Sequence, residues 1–234
     1  MDKIKLFCIP WAGGSSLSFY KWKRYLDKRI ELIPVELSGR GHRYASPLYD
    51  TFEEAVEDVY ISIKDNLDGC PYAVLGHSMG SLIAFELCHR IRSIGGKEPD
   101  YLIVSGRWAP NVIRKNPIDY NMSDEELKMA MIGLGGTDEG LFKDSQFMNT
   151  AISILRADIK ITESYKYIER DSRINSGIIA MTGIRDVSVS HNDLLEWQKH
   201  TCSTFNIFKF KGGHFFINDS MEKVVSSINS QLSI

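Results

Sequence analysis

The chain has 234 residues, 43% of them hydrophobic and 25% charged, which is long enough to bury a large core and far from disordered or collagenous compositions. Its formal net charge of −2 excludes a general attraction to nucleic acid or anionic membrane, which calls for clustered positive charge. Met1 leads into a charged, strand-like opening rather than a secretory signal, and no apolar run approaches the roughly 20 residues of a membrane span, so a cytoplasmic protein, monomeric by default, is expected.

The first expected strand, Lys5 to Ile9, runs into the glycine-rich turn Pro10-Trp11-Ala12-Gly13-Gly14-Ser15 and then a helix; the second strand is Glu31 to Val35. Thr51 with Glu54 has the spacing of a capping box, in which a short polar side chain and an acid three residues on satisfy free N–H groups at a helix start. The third strand, Tyr72 to Leu75, enters Gly76-His77-Ser78-Met79-Gly80, and Ser81 to Ile94 reads as a helix. After the fourth strand, Tyr101 to Ser105, the alternation lapses from Gly106 to Tyr167 into helical patterning, with a second capping pair at Ser123 and Glu126 and a glycine-rich break at Gly133 to Gly140. A connection that long is uncommon unless it covers something. Strands five and six are Ile178 to Thr182 and Asn206 to Phe210, and further capping pairs stand at Ser190 with Asp193 and at Asp219 with Glu222.

Strands alternating with amphipathic stretches are the pattern of βαβ units. The expectation is one α/β domain over residues 1–234, with a mostly parallel central sheet, helices on both faces and a helical lid inserted at about 107–167. Cys8, Cys70, Cys88 and Cys202 lie too far apart for metal or redox spacing, so reduced core thiols and no metal site are expected.

A strand running through Gly-x-Ser-x-Gly into a helix is the sequence form of a nucleophile elbow, and it points to the α/β-hydrolase fold. Strand and helix must approach closely around the strained turn, so Gly76 and Gly80 need to lack side chains, while the helix start offers N–H groups to developing negative charge. Ser78 needs a histidine to take its proton, and in this fold the partners follow in the order serine, acid, histidine. His42 and His77 precede Ser78, His89 lies in its helix, and His191 and His200 share a late helical stretch; His214 follows the sixth strand across Gly212 and Gly213. His214 is therefore the expected base, and His77 a packed or hydrogen-bonded neighbour. For the acid, Asp186 in the loop after the fifth strand is favoured over its rival Asp158, which sits on a helical pattern where carboxylates usually face solvent or pair locally. The oxyanion donors are expected to be the backbone N–H groups of Ala12, in the first glycine-rich loop, and of Met79. That loop lacks the spacing of dinucleotide- and phosphate-binding loops.

Pro10-Trp11-Ala12-Gly13-Gly14, Glu36-Leu37-Ser38-Gly39-Arg40-Gly41, Gly76-His77-Ser78-Met79-Gly80, Leu155-Arg156-Ala157-Asp158 and Gly212-Gly213-His214-Phe215-Phe216 fall in order along nearly the whole chain. Together they resemble the type II thioesterases that accompany nonribosomal peptide and polyketide synthases. The string Ser123-Asp124-Glu125-Glu126-Leu127 through Gly133-Leu134-Gly135-Gly136 also looks like that family's lid. The resemblance implies an enzyme that removes wrong or stalled acyl groups from the phosphopantetheine arm of acyl- or peptidyl-carrier proteins under a mobile lid, with no cofactor of its own. The first strand starts almost at Met1, so a carrier is expected to arrive in trans. Ser38 stands where the family more often shows proline, which is expected to loosen its loop, and Trp11 stands where phenylalanine or tyrosine is usual, at the acyl entrance. Lys21, Lys23, Arg24, Lys28, Arg29, Arg40 and Arg43 form a basic cluster whose ordinary explanation is solvated helix faces. The residues alone reach acyl transfer and leave open a carboxylester hydrolase, or a non-catalytic binding protein on the same fold.

Overall fold

The computed structural model describes residues 3–67, 69–113, 118–134 and 145–232. Six strands form one sheet in the order β2-β1-β3-β4-β5-β6: β1 Ile4–Ile9, β2 Ile30–Pro34, β3 Tyr72–His77, β4 Tyr101–Ser105, β5 Gly177–Gly183 and β6 Phe205–Phe210. Every pairing is parallel. Each of the six strands expected from the sequence is present, shifted by two residues or fewer at either end; the four central ones, β1, β3, β4 and β5, are apolar runs buried on both faces, which leaves little choice of conformation.

The period of two along each strand divides the core. Phe7, Val74, Leu102 and Ile178 face one side, where they meet α1 (Phe52–Ile63) and α2 (Met79–Ser93). Leu6, Leu75, Ile103 and Ile179 face the other, against the inner face of a 3-10 segment, Ser16–Arg24, and α7 (Met221–Leu232). Burying both faces of a parallel sheet under helices is the α/β-hydrolase arrangement expected from the elbow.

Between β4 and β5 lie α3 (Asp124–Leu134) and α4 (Ser145–Ser164). Leu127 of α3 and Met148, Ile152, Leu155 and Ile159 of α4 make a small core of their own, separate from the two sheet faces. Gly133 still lies within α3, and residues 135–140 of the expected glycine-rich break lie outside the described residues. Arg156 ties the two helices by donating to the carbonyls of Tyr120 and Met122 and to Asp124 Oδ1 at 2.6 Å.

The capping pairs divide. Ser190 and Asp193 form a full box at the start of α5 (His191–Leu195), and Ser123 and Glu126 exchange both bonds ahead of α3. Thr51 caps Glu54 N–H at 3.2 Å, but Glu54 reaches one residue further back, to Asp50 N–H at 2.9 Å. Asp219 is not a cap: it ends a short helix, α6 (Phe216–Asp219), and α7 starts at Met221. Ser38 does not loosen its loop. Its hydroxyl donates to Pro47 O at 2.6 Å and its N–H, which proline would lack, donates to Tyr49 Oη at 2.9 Å. Of the four thiols only Cys8 and Cys88 are core residues, both pushed up in pKa chiefly by burial, while Cys70 is half-buried and Cys202 exposed.

Candidate active site

The strand order reverses between β1 and β3, and in parallel sheets that switch point opens a crevice at the carboxyl ends of the strands. The two chain segments singled out for chemistry leave the sheet there. The loop after β1 carries Ala12, and the turn after β3 carries Ser78.

Ser78 has φ 53° and ψ −116°, and among the described residues it is the one non-glycine with a positive φ. Such a conformation costs on the order of 1–3 kcal/mol and persists where neighbours over-determine it. Here Ser78 N–H donates to Ser105 O at 2.7 Å and Ser81 N–H returns to Ser78 O at 3.0 Å. The two glycines answer to sterics: a Cβ on Gly76 would stand 2.0 Å from Gly80 O, and one on Gly80 would stand 2.4 Å from Ile9 O. The second contact also shows how tightly the start of α2 abuts the end of β1, which brings Ala12 and Met79 onto one cavity wall with Ser78 and His214.

His214 follows β6, and its Nδ1 lies 2.9 Å from Asp186 Oδ2 in the loop after β5. A carboxylate at that distance selects the tautomer with the proton on Nδ1, leaving Nε2 as the acceptor. Burial alone would raise the Asp186 pKa, but the bonds from His214 and Ser188 outweigh it and hold the carboxyl below its ordinary value. Ser188 donates its hydroxyl to Asp186 Oδ1 at 2.5 Å and its N–H to the same oxygen at 3.0 Å. Sequence reading passed over Ser188, although a serine two residues after an aspartate is a common local hydrogen-bond pattern.

His77 is fully buried, with Nδ1 2.9 Å from Ser105 Oγ and its ring 5.1 Å from that of His214. Burial first, and then the neighbouring His214, drive its pKa well below the usual imidazole value, so it stays neutral and acts as packing.

Asp158 is where sequence reasoning erred. It neither faces solvent nor pairs locally; it is 1% exposed and takes a bidentate pair from Arg40 at 2.6 and 2.7 Å, across 118 residues. It also accepts Gly13 N–H at 2.7 Å. Arg40 is therefore an internal strut, and Arg43 and Arg29 of the same basic cluster are paired with Asp58 and Asp27.

The cavity of ≈100 Å³ above Ser78 is mostly apolar. Ile118, Leu155, Ile159 and Trp108, from the β4–β5 insertion, close one side, and Trp11 and Phe215 the other. Arg107 also reaches its wall, with its guanidinium 3.8 Å over the Trp108 ring, and burial pulls its pKa down to about 10, which leaves it cationic at neutral pH. A half-buried serine lining the cavity, an imidazole poised by a buried acid and N–H groups on the same wall make a site suited to acyl transfer.

Comparisons with known proteins point the same way. Residues 4–232 match the thioesterase domain family. The gramicidin S biosynthesis protein GrsT of Aneurinibacillus migulanus is 34% identical over 232 residues, 99% of this chain and 90% of that protein. The crystal structure of ClbQ, from the colibactin NRPS/PKS pathway, superposes with a TM-score of 0.93 at 32% identity, covering 99% of this chain and 98% of ClbQ. The type II thioesterase BorB of the borrelidin cluster superposes with a TM-score of 0.87 at 30% identity, covering 97% and 92%.

Proposed function

This chain belongs to the thioesterase domain family, and from that premise we propose that it hydrolyses acyl thioesters on the phosphopantetheine arm of carrier proteins. The acyl groups removed are the aberrant or stalled ones of a nonribosomal peptide or polyketide synthase, and the carrier comes to the enzyme in trans. Full-length similarity to GrsT, ClbQ and BorB supports that setting. The observation that carries the chemistry is the 2.9 Å Asp186–His214 bond at the mouth of an apolar cavity that Ser78 also lines.

In the proposed cycle His214 Nε2 takes the Ser78 hydroxyl proton as Oγ attacks the acyl carbonyl. The N–H groups of Ala12 and Met79 hold the oxyanion, and Asp186 keeps the imidazole in register and stabilises its protonated form. The C–S bond then breaks, the departing sulfur takes the proton held on His214 and leaves as a thiol, and the acyl group stays on Ser78 as an oxygen ester. A water, deprotonated by His214, attacks that ester, and breakage of the acyl–Oγ bond frees the acid and returns the proton to Ser78. A thiolate needs little help from His214 as it leaves. The cycle uses this chain's own groups and calls for no cofactor. The β4–β5 insertion serves as a lid whose apolar wall receives the acyl chain and keeps water out. The working form is a cytoplasmic monomer; among the described residues no helix is long and apolar enough to cross a membrane.

The test is a panel of acyl groups loaded on a phosphopantetheinylated carrier protein, each compared with the same acyl group on free pantetheine, with Ser78→Ala as blank. Faster Ser78-dependent release from the carrier is expected. Equal or better turnover of free thioesters makes the enzyme a general acyl hydrolase.

A further inference from the structure

The 3-10 segment Ser16–Arg24 is nine residues long. With three residues per turn, side chains three apart eclipse and form straight stripes. Ser16, Phe19 and Trp22 make the buried stripe. The next stripe, Leu17, Tyr20 and Lys23, points outward, with Leu17 68% and Tyr20 52% exposed. A leucine and a tyrosine side by side in water, bordered by lysines, have the composition of an interface centre with a polar rim.

The segment's own charge is one-sided, and Glu222 of α7, the acid that approaches it, is hydrogen-bonded to Tyr25 at its far end. From Ser15 to Leu26 the sequence holds Lys21, Lys23 and Arg24 and no acidic residue, on a chain whose net charge is −2. The arginines further along the same cluster are paired within the chain, Arg29 with Asp27 at the surface, Arg40 with buried Asp158 and Arg43 with Asp58. The segment's buried side packs against the cavity wall. Trp11, which lines the cavity, packs its ring 6.1 Å from Phe19 and 5.1 Å from Phe215, next to His214. Glu36 ties the segment's first turn to the loop after β2 by accepting Ser15 Oγ at 3.0 Å and Ser16 N–H at 3.0 Å, and that loop exposes His42 and Tyr44 beside it.

We propose that the outward face of Ser16–Arg24, centred on Leu17 and Tyr20 and bordered by Lys21 and Lys23, is where an acidic carrier protein docks to deliver its arm into the cavity. This rests on the carrier-directed reading above. Cations on this rim act mainly on encounter rate and salt dependence, and the apolar pair supplies the contact that must be desolvated.

The experiment compares wild type, Lys21→Glu/Lys23→Glu and Leu17→Ala/Tyr20→Ala with Lys64→Glu/Lys97→Glu. The last carries the same charge change on two lysines by the amino ends of β3 and β4, away from the cavity. Each is assayed on one acyl group attached to a carrier protein and to pantetheine, at low and high salt. Both face variants are expected to lower the carrier-to-pantetheine ratio of kcat/KM by about tenfold, through KM, and the lysine variant to lose the wild type's salt sensitivity on the carrier. A ratio equal to that of Lys64→Glu/Lys97→Glu overturns the docking face while wild-type preference for the carrier stands. A wild type without that preference removes the carrier-directed reading and the docking face together. Unchanged ratios combined with Lys21- and Lys23-dependent binding to phosphatidylserine vesicles would assign the face to a membrane surface instead.

Discussion

Ser78 and Asp158 show how differently two polar residues can depend on their surroundings. The Ser78 backbone is held at φ 53° by bonds to Ser105 and Ser81 that do not involve its hydroxyl. Ser78→Ala should therefore leave the melting temperature within a few degrees of wild type while lowering kcat by roughly 10³-fold or more; near-native turnover would refute its role as nucleophile. Asp186→Asn keeps the shape but presents the wrong hydrogen-bond partner to His214 Nδ1, and about 10³- to 10⁴-fold loss of kcat is expected. Asp158→Asn removes the charge that neutralises buried Arg40, so its main effect should be on stability, about 3–5 kcal/mol by urea denaturation. Folded Asp158→Asn should retain far more activity than Asp186→Asn, and the reverse order would exchange their roles.

At the scale of elements, the junction of β1, β3 and α2 is set by contacts that admit no side chain. A Cβ on Gly80 would meet the carbonyl oxygens of Ile9 and Pro10 at 2.4 and 2.6 Å, and backbone on both sides leaves nothing flexible to yield. Gly80→Ala should push the α2 start away from the loop that carries Ala12, lowering both the thermal midpoint and the rate at which a fluorophosphonate labels Ser78. Wild-type labelling in that variant would mean that the spacing of the two N–H groups is unimportant. The β4–β5 insertion contrasts with this junction, since its helices share a small core of their own and meet the loop after β1 through Asp158 and the Leu155 side chain beside Gly13.

For the whole molecule, the imidazoles set how stability responds to acid. Burial, reinforced by nearby arginines, pulls His89 down to about 4, and burial, against the opposing pull of Glu196, takes His200 to about 4; His77 is also depressed. A histidine whose folded pKa lies below its unfolded value near 6.5 binds its proton more readily in the unfolded chain. Its cost is absent above about pH 6.5 and grows as pH falls toward about 4. The urea midpoint should accordingly drop steadily from pH 7 to pH 5, and less steeply in His89→Gln. Parallel curves for the two proteins would show that His89 is accessible to protons in the folded state.

Much of this was legible in residues whose signals are local. The strands announced themselves because buried β-branched runs have few alternatives, and the Ser78 elbow because its two glycines sit at fixed distances along the chain from the residue they serve. His214 and Asp186 were singled out by order along the chain, which constrains partners without locating them, and their 2.9 Å approach exists only because parallel strands carry both loops to the same sheet edge. What periodicity could not reveal was Asp158. Its helical surroundings predicted a solvated or locally paired carboxylate, whereas its partner Arg40 lies 118 residues away and meets it only once the inserted helix rests against the loop after β1. By itself the sequence determined the strands and the elbow and pointed to acyl-transfer chemistry; the tertiary structure decided which charges are buried and paired and which remain for a partner, because pairing depends on distance in space, which sequence spacing does not encode.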